Sequence, residues 1–558
     1  MADYLRASSP LTLTLVVGVA TILGNFFVKL YRARMLLVDR RRRGLPVAPN
    51  HSFLFGHLLY LKPYLDRLPS GAHWQFAMGA IAREEFPGTG GFYIDLWPMS
   101  GLLYVVFSPQ IGVQITQTNA ALHSERPKLL ERFFKPITGG PNIFDLPEKE
   151  WKPWRLAFNK GFQNNTIMSL VPGMLDQIKV YAEILRGFAE KGDMFCLDPV
   201  TLRFTIDMIG KNIINISLDA QKGYNVLADS MLSQIRWHSR NAEINPLSGL
   251  DFVTAFMQWK NSRAMDQYIG KELDARYEAY KSDPSTAASK STIDLVLQAY
   301  MAGQTAKSGS SAPPEKLDAE FRTAAIRQIR LFIFAGYDST SSALCYCFHM
   351  LAKHPEVLAK MRAEHDAVLG TDPAAAPEKL TRDPHLVNSL QYTLGVIKEV
   401  MRFFPPAASN RAGKAGVNIT DDAGNICPTD DAMLHILHTE MHRNARYWRR
   451  CEEFLPERWL VGPEDELHPV PGAWRPFELG PRNCIAQGLV LVELRVVLAC
   501  LVRTFEVKPA YDEWDALHPA KGDKLYRGER AFQVEAGAAH PVDGYPCRIT
   551  LVRGAWAA

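Results

Sequence analysis

The sequence predicts a mainly α-helical domain with small β-sheets, preceded by one N-terminal transmembrane helix. Three observations carry that expectation. Residues 11–28 are uncharged and apolar, apolar residues in the body recur at alternating spacings of three and four, and strand signals come only in short, scattered runs. The chain has 558 residues, 47% hydrophobic and 22% charged, which excludes disordered and fibrous classes. Its 63 basic and 59 acidic residues leave a net charge of +4, which gives no case for a nucleic-acid partner. Eight cysteines in a chain of this length are not a disulfide scaffold.

As a helix, residues 11–28 extend about 27 Å, enough to cross a bilayer core. Asp3 and Arg6 precede the run, whereas Lys29, Arg32, Arg34 and Arg40 to Arg43 come after it. Positive charge stays on the cytosolic side, so residues 1–28 read as a single-pass anchor with a lumenal N-terminus. A cleaved signal peptide would put its basic segment before the apolar run and small residues after it. Residues 29–56 read as a basic, Pro-containing hinge stiffened by Pro46 and Pro49, and residues 57–558 as the body.

Within the body, residues 92–97 and 102–107 flank PMSG as a hairpin. Met174, Ile178, Tyr181, Leu185 and Phe188 mark one face of a helix. Residues 354–370 open with Pro355 in the first turn and end on Gly370, as a capped helix does. Residues 307–315 and 371–377 read as surface loops. Residues 432–437 read as a strand, which separates His435 from His438 and His442 and removes the case for zinc. Cys345 and Cys347, two apart on a helix, point to different faces and do not chelate together. Residues 547–552 read as the last strand. No Gly-rich phosphate loop follows a strand, so the chain is not expected to hold its own NADPH.

Residues 477–488, FELGPRNCIAQG, precede LVLVELRVVLACLV, an almost wholly apolar run of helical length. Cys484 therefore sits just before a helix N-terminus, where the dipole and free N–H groups favour a thiolate. A thiolate in a loop shaped by Gly and Pro suits an axial ligand to haem iron. Arg482 is placed to meet a haem propionate, and Phe477 to pack on the sulfur side and limit water. The ordinary alternative for such a cysteine is a buried, inert thiol.

FELGPRNCIAQG resembles the haem-binding loop of the cytochrome P450 family, F-x-x-G-x-R-x-C-x-G. Ala486 stands where the family usually has Gly, and Glu478 where it usually has a small residue. Further matches occur in the family's order: Trp151/Arg155 (W-x-x-x-R), residues 335–340 (A-G-x-D-T), Glu399/Arg402 (E-x-x-R), and Arg458 in FLPERWL. The resemblance covers residues 45–552 and implies the P450 fold. It implies heme b (iron protoporphyrin IX) with Cys484 as axial ligand, and Arg482, Trp151, Arg155 and Arg411 as propionate partners. Glu399, Arg402 and Arg458 become a structural triad. Asp338 and Ser339 become a proton relay, with Thr340 beside them as a further catalytic candidate. Ser339 replaces the usual Thr, keeping the hydroxyl with a freer χ1. A helical Gly costs about 1 kcal/mol against Ala, and room for dioxygen is the expected reason for Gly336.

The implied activity is insertion of one atom of O2 into an apolar small molecule. Electrons are expected from NADPH through NADPH–cytochrome P450 reductase, with Arg449 and Arg450 as candidate docking charges. The implied location is the endoplasmic reticulum membrane, with residues 57–558 as a cytosolic haem-thiolate catalytic domain. The loop 125–145, the 332–335 face and residues after Pro406 are the expected pocket lining. The stretch GERAFQVEAGAAHPVDGYPCRITLV is similar to filamentous-fungal monooxygenases of secondary metabolism, oxidases of sterigmatocystin-type polyketide toxins among them. The alternatives are an oxygen-independent isomerase or dehydratase on the same haem fold, or a haem-binding sensor without turnover.

Overall fold

The computed structural model describes residues 10–117, 119–239, 251–283, 291–308, 314–519 and 521–552. Helix α1 (Pro10–Arg42) does not stop at residue 28. No Gly or Pro interrupts residues 29–42, and the first left-handed residue after them is Gly44, φ +71°. The irregular connection therefore begins only after Arg42. The helix is long and apolar enough to cross a membrane, and its early side chains are bare, Leu11 at 79% and Ile22 at 69% exposure. Its later part packs on the body through Leu30 and Leu37. Arg34 is buried, pairs with Asp95, and donates to Phe53 O (2.7 Å) and Leu54 O (2.9 Å). Arg40 meets Asp430 at 2.8 Å. These two arginines fix the helix to the body and are not part of a free basic flank.

Strands β1 (Gly91–Asp95) and β2 (Leu102–Val106) form the expected hairpin, Tyr93 opposite Tyr104. The other strands are β3 (Phe195–Cys196), β4 (Ser409–Ala412), β5 (Asn418–Thr420), β6 (Ile426–Pro428), β7 (Ala432–Ile436), β8 (Phe505–Pro509), β9 (Gln533–Ala536), β10 (Ala538–Pro541) and β11 (Pro546–Leu551). They make a four-stranded sheet in the order β1-β2-β7-β4, a three-stranded sheet β3-β11-β8, and the pairs β5/β6 and β9/β10. Small sheets thus lie at the margins of a helical body.

The helices that matter for the site are α2 (Glu148–Asn159), α3 (Asn164–Lys191), α4 (Leu197–Ile214), α5 (Ala319–Lys353), α6 (Gln391–Phe403) and α7 (Gln487–Leu501). The main core cluster draws on all six. Met174, Ile178, Tyr181 and Leu185 form the buried stripe of α3. The capped helix near 354–370 is Pro355–Leu369. The expected loop at 371–377 is instead a 3-10 turn, Pro373–Ala375, running into helix Ala376–Arg382. Asp372 caps it through the Ala374 N–H at 2.9 Å, and the alanines favour the helix. In the other expected loop, Lys307 and Ser308 close helix Thr292–Ser308, and residues 309–313 lie outside the described residues.

Candidate active site

The loop before α7 is a tight turn. The Cys484 N–H donates to Phe477 O (2.8 Å) and the Asn483 N–H to Gly480 O (3.0 Å). Gly480, φ +80°, packs against Thr116 O so closely that no side chain fits. Glu478 also has a left-handed backbone, φ +58°, which explains why a small residue is the usual choice there. Here the carboxylate is held by buried Arg475, whose Nε lies 2.6 Å away, and Arg475 itself reaches Thr116 Oγ1 at 2.6 Å. Against burial, Arg475 together with His438 and Arg411 holds the Glu478 carboxyl well below the usual range. Ala486 has φ −89°, a conformation that tolerates its methyl.

Cys484 is free and exposed. Protein around the sulfur pushes its thiol up, while the Ala486 and Gln487 N–H groups and Arg155 pull it down. Cys345 and Cys347 are buried, and burial holds both thiols above their ordinary value.

Beside this loop lies a group of buried and half-buried cations. Arg482 stacks 4.2 Å over the Trp151 ring and donates to Leu146 O (2.7 Å) and Ile143 O (3.3 Å). Arg155, also on α2, bonds Asn483 O (2.9 Å) and Oδ1 (2.8 Å), so it braces the residue next to Cys484. Arg411 on β4 is fully buried and bonds Ser409 Oγ (2.8 Å) and Asn410 O (3.0 Å). A fourth arginine, Arg126, joins them. It bonds Asn410 O at 3.1 Å and lies 4.7 Å over Phe144. Its place in a loop between motifs gave no spacing to read. Burial, with repulsion from Arg411 and Arg482, holds Arg126 well below its ordinary value, and Arg482 is pulled down to about 10. Among the described residues, Arg126 Nε, Arg411 Nη2 and Arg482 Nε are buried without a partner. Glu478, Asp145 and Glu148 offset part of this charge, and the donors left over suit a bound anion. The donor set fits a pair of carboxylates such as the propionates of a haem.

Helix α5 is buried almost throughout residues 325–351, but Ala335 is exposed and Ser339, one turn later, partly so. Ser339 Oγ donates back to Ala335 O at 2.8 Å. Thr340 lies about 100° further round the helix, and its Oγ1 is buried without a partner. It does not share the Ala335–Ser339 face. Gly336 answers to packing rather than to room for dioxygen, because a Cβ there would lie 2.7 Å from Ile209 Cγ1 on α4. Asp338 is buried and accepts the Ala538 N–H, with His540 Nε2 3.4 Å from its other oxygen. Phe332 packs on Phe158 and Phe162, and Phe334 lies 6.1 Å from Phe134, so both are engaged in aromatic contacts. Residues 125–145 are not simply a loop but contain helix Lys128–Thr138.

Glu399, Arg402 and Arg458 are fully buried together. Glu399 accepts from Arg402 Nε (3.0 Å) and Nη2 (2.8 Å), Arg458 Nε (3.0 Å), Trp459 Nε1 (3.1 Å) and the Leu455 N–H (3.1 Å). The arginines then donate to the carbonyls of His442, Cys451, Glu453, Arg449, Leu467 and Arg450. Trp459, Trp474 and Phe477 continue as an aromatic contact chain to the cysteine loop, with centroid steps of 5.5 and 5.8 Å. Arg449 and Arg450 are exposed but paired with Glu466 and Glu453, so they do not form a bare positive patch. His435 stands on β7, apart from the stacked rings of His438 and His442, and no metal-holding cluster occurs among the described residues.

Comparison with known proteins identifies the family of the chain. The family model for Cytochrome P450 matches residues 87–535. Cytochrome P450 monooxygenase polC of Polytolypa hystricis is 35% identical over 99% of this chain and 98% of its own length. Cytochrome P450 monooxygenase acrF of Aspergillus aculeatus is 30% identical over 87% and 98%. The solved cytochrome P450DA heme domain superposes with a TM-score of 0.68 at 18% identity, covering 91% of this chain and 97% of that one. The chain belongs to the cytochrome P450 family and is an oxidoreductase.

Proposed function

We propose that this chain is a membrane-anchored haem-thiolate monooxygenase that inserts one atom of O2 into an apolar, ring-containing small molecule. The observation that carries the reading is the set of buried, unpaired arginine donor atoms beside an exposed cysteine. Arg126, Arg411 and Arg482 would hold the propionates, and Cys484 would bind the iron. Bound haem supplies the redox centre at which dioxygen is activated. Coordination to a cation ionises a thiol outright, so the raised thiol of the free cysteine is no obstacle. Arg155 fixes Asn483 and thereby the direction of the sulfur. Asp338 and Ser339 would deliver protons, Ser339 from the face it shares with Ala335.

The aromatic group of Phe134, Phe144 and Phe334, with centroids 4.9 and 6.1 Å apart, supports an apolar substrate. The relatives polC and acrF are fungal proteins named as monooxygenases, which supports a step in fungal secondary metabolism. Reduction by NADPH through a membrane-bound reductase, on the cytosolic face of the endoplasmic reticulum, completes the proposal.

The test is spectral and then functional. The purified full-length protein, reduced with dithionite under carbon monoxide, should show the red-shifted Soret band of thiolate ligation; Cys484→Ser should abolish it. Reductase and NADPH should then drive product formation from the precursor that accumulates when the gene is deleted. A protein that shows the band but turns over without O2 uptake would instead be the isomerase or dehydratase. The backward bond from Ser339 to Ala335 is what favours that second reading.

A further inference from the structure

Two residues outside the haem-loop and helix motifs, Asp198 and His540, gather beside Asp338 inside the fold, with His540 between the two acids. Asp198 is in the first turn of α4, and His540 lies on β10. His540 Nδ1 is 2.9 Å from Asp198 Oδ1, and Nε2 is 3.4 Å from Asp338 Oδ1. The ring is 2% exposed. Ser341 Oγ donates to the same Asp198 oxygen at 3.1 Å. The other oxygen of Asp338 takes the Ala538 N–H at the turn between β9 and β10. That approach needs Gly537, which has φ +96° and whose Cβ would lie 2.6 Å from Asp338 Oδ2. The C-terminal hairpin therefore touches the acid of α5 twice, once by a backbone donor and once by charge.

The cluster holds two carboxylates and one imidazole. Against burial, the two carboxylates raise His540 to about 10, so it is an imidazolium at neutral pH. Tyr181 from α3, with Tyr337, Cys345 and Tyr346 from α5, are all pushed well above their ordinary values by burial and stay neutral. The Asp198 contact is a hydrogen bond. The Asp338 contact has ion-pair distance without hydrogen-bond alignment, since Nε2 lacks a bonded partner. Asp338 is thus held by charge on the side of His540 Nε2, 3.4 Å away.

We propose that His540 and Asp198 are positioning residues that orient Asp338 and supply its proton during dioxygen reduction. In that step the His540 Nε2–H bond breaks and the Asp338 Oδ1–H bond forms. The imidazole is left neutral with its Nδ1–H held by Asp198, and a proton from solvent restores it. The inference rests on the monooxygenase reading above.

The test uses the full-length holoprotein with reductase and NADPH and no added substrate. Electrons then leave as hydrogen peroxide or, with further protons and electrons, as water. Peroxide released per NADPH is measured from neutral to alkaline pH for the wild type, His540→Gln, His540→Phe and Asp198→Asn. The expected result is a ratio about threefold higher in each variant, and a wild-type ratio that rises as pH approaches about 10. Thermal melting gives a second readout. Wild-type stability should fall as pH rises from about 6.5 to about 10, and His540→Phe should lack that fall. Unchanged peroxide ratios overturn the proposal even where the melting slope is lost, because the cluster is then structural only. An unchanged melting slope in His540→Phe overturns it too. Asp198→Asn keeps the shape of the cluster if the His540 variants do not fold. A wild type that lacks the red-shifted Soret band, or consumes no NADPH, refutes the monooxygenase reading instead.

Discussion

Replacing Glu399 with Ala removes one carboxylate that satisfies five donors and separates two fully buried guanidiniums. Arg402 and Arg458 would remain under the same Trp448 ring, 5.1 and 5.6 Å from its centroid, as unshielded like charges. Removing one member of a buried ion cluster costs about 3–5 kcal/mol. Leaving the Trp459 and Leu455 donors without an acceptor adds about 1 kcal/mol or more, for a total near 5 kcal/mol. Unfolding entropy at this chain length converts that to about 5 °C in melting temperature.

The effect should be local before it is global. The carbonyls held by the two arginines all belong to residues 442–467, and Trp459 leads from there to Trp474 and the cysteine loop. Loss of the red-shifted carbon monoxide band should therefore precede loss of helix on heating, as read by parallel absorbance and circular dichroism melts. Glu399→Gln keeps the volume but brings an amide donor to a site already crowded with donors, so it should fare nearly as badly. Glu399→Asp keeps the charge and should retain part of the stability. Melting of Glu399→Ala within about 1 °C of wild type, with the band intact, would refute the reasoning.

Three further outcomes rest on the same physics. Arg126→Leu should lower the haem-to-protein ratio after gel filtration while leaving circular dichroism unchanged, because it removes the proposed propionate donor, which packs on Phe144. Gly336→Ala should lower the melting temperature at a cost of about 1–3 kcal/mol, and that cost should shrink when it is measured in an Ile209→Ala background, since the added methyl meets Ile209. Burial raises the Glu493 carboxyl to about 7, with Asn212 as its side-chain donor at 3.1 Å. Its folded form therefore binds a proton that the unfolded form has released, and stability falls as pH rises from about 4.5 to about 7. Glu493→Gln should flatten that slope and melt higher than wild type above neutrality, by up to about 3 kcal/mol.

Much of this molecule is written locally. The bare apolar half of α1, the α3 stripe, the β1–β2 hairpin and the cysteine before α7 each arise from periodicity, charge or capping within a few residues. The pair Glu399 and Arg402 is legible for the same reason, because three residues is about one helical turn. What the sequence could not order is anything made by distant segments. Arg126 joins Arg411 and Arg482 only after two loops and a strand converge, and no spacing records that meeting. Arg34 looks like a membrane-flanking charge until Asp95 arrives to bury it. Gly336 looks like room for a ligand until Ile209 fills the space. His540 lies 202 positions from Asp338 and 342 from Asp198, counting along the chain, and becomes their shared counter-ion only when the hairpin turn at Gly537 comes down on α5. Short-range rules fix which residues can be helix, strand or ligand. Charge balance in the interior is a long-range property, settled only when the folded chain decides which ions share the same low-dielectric space.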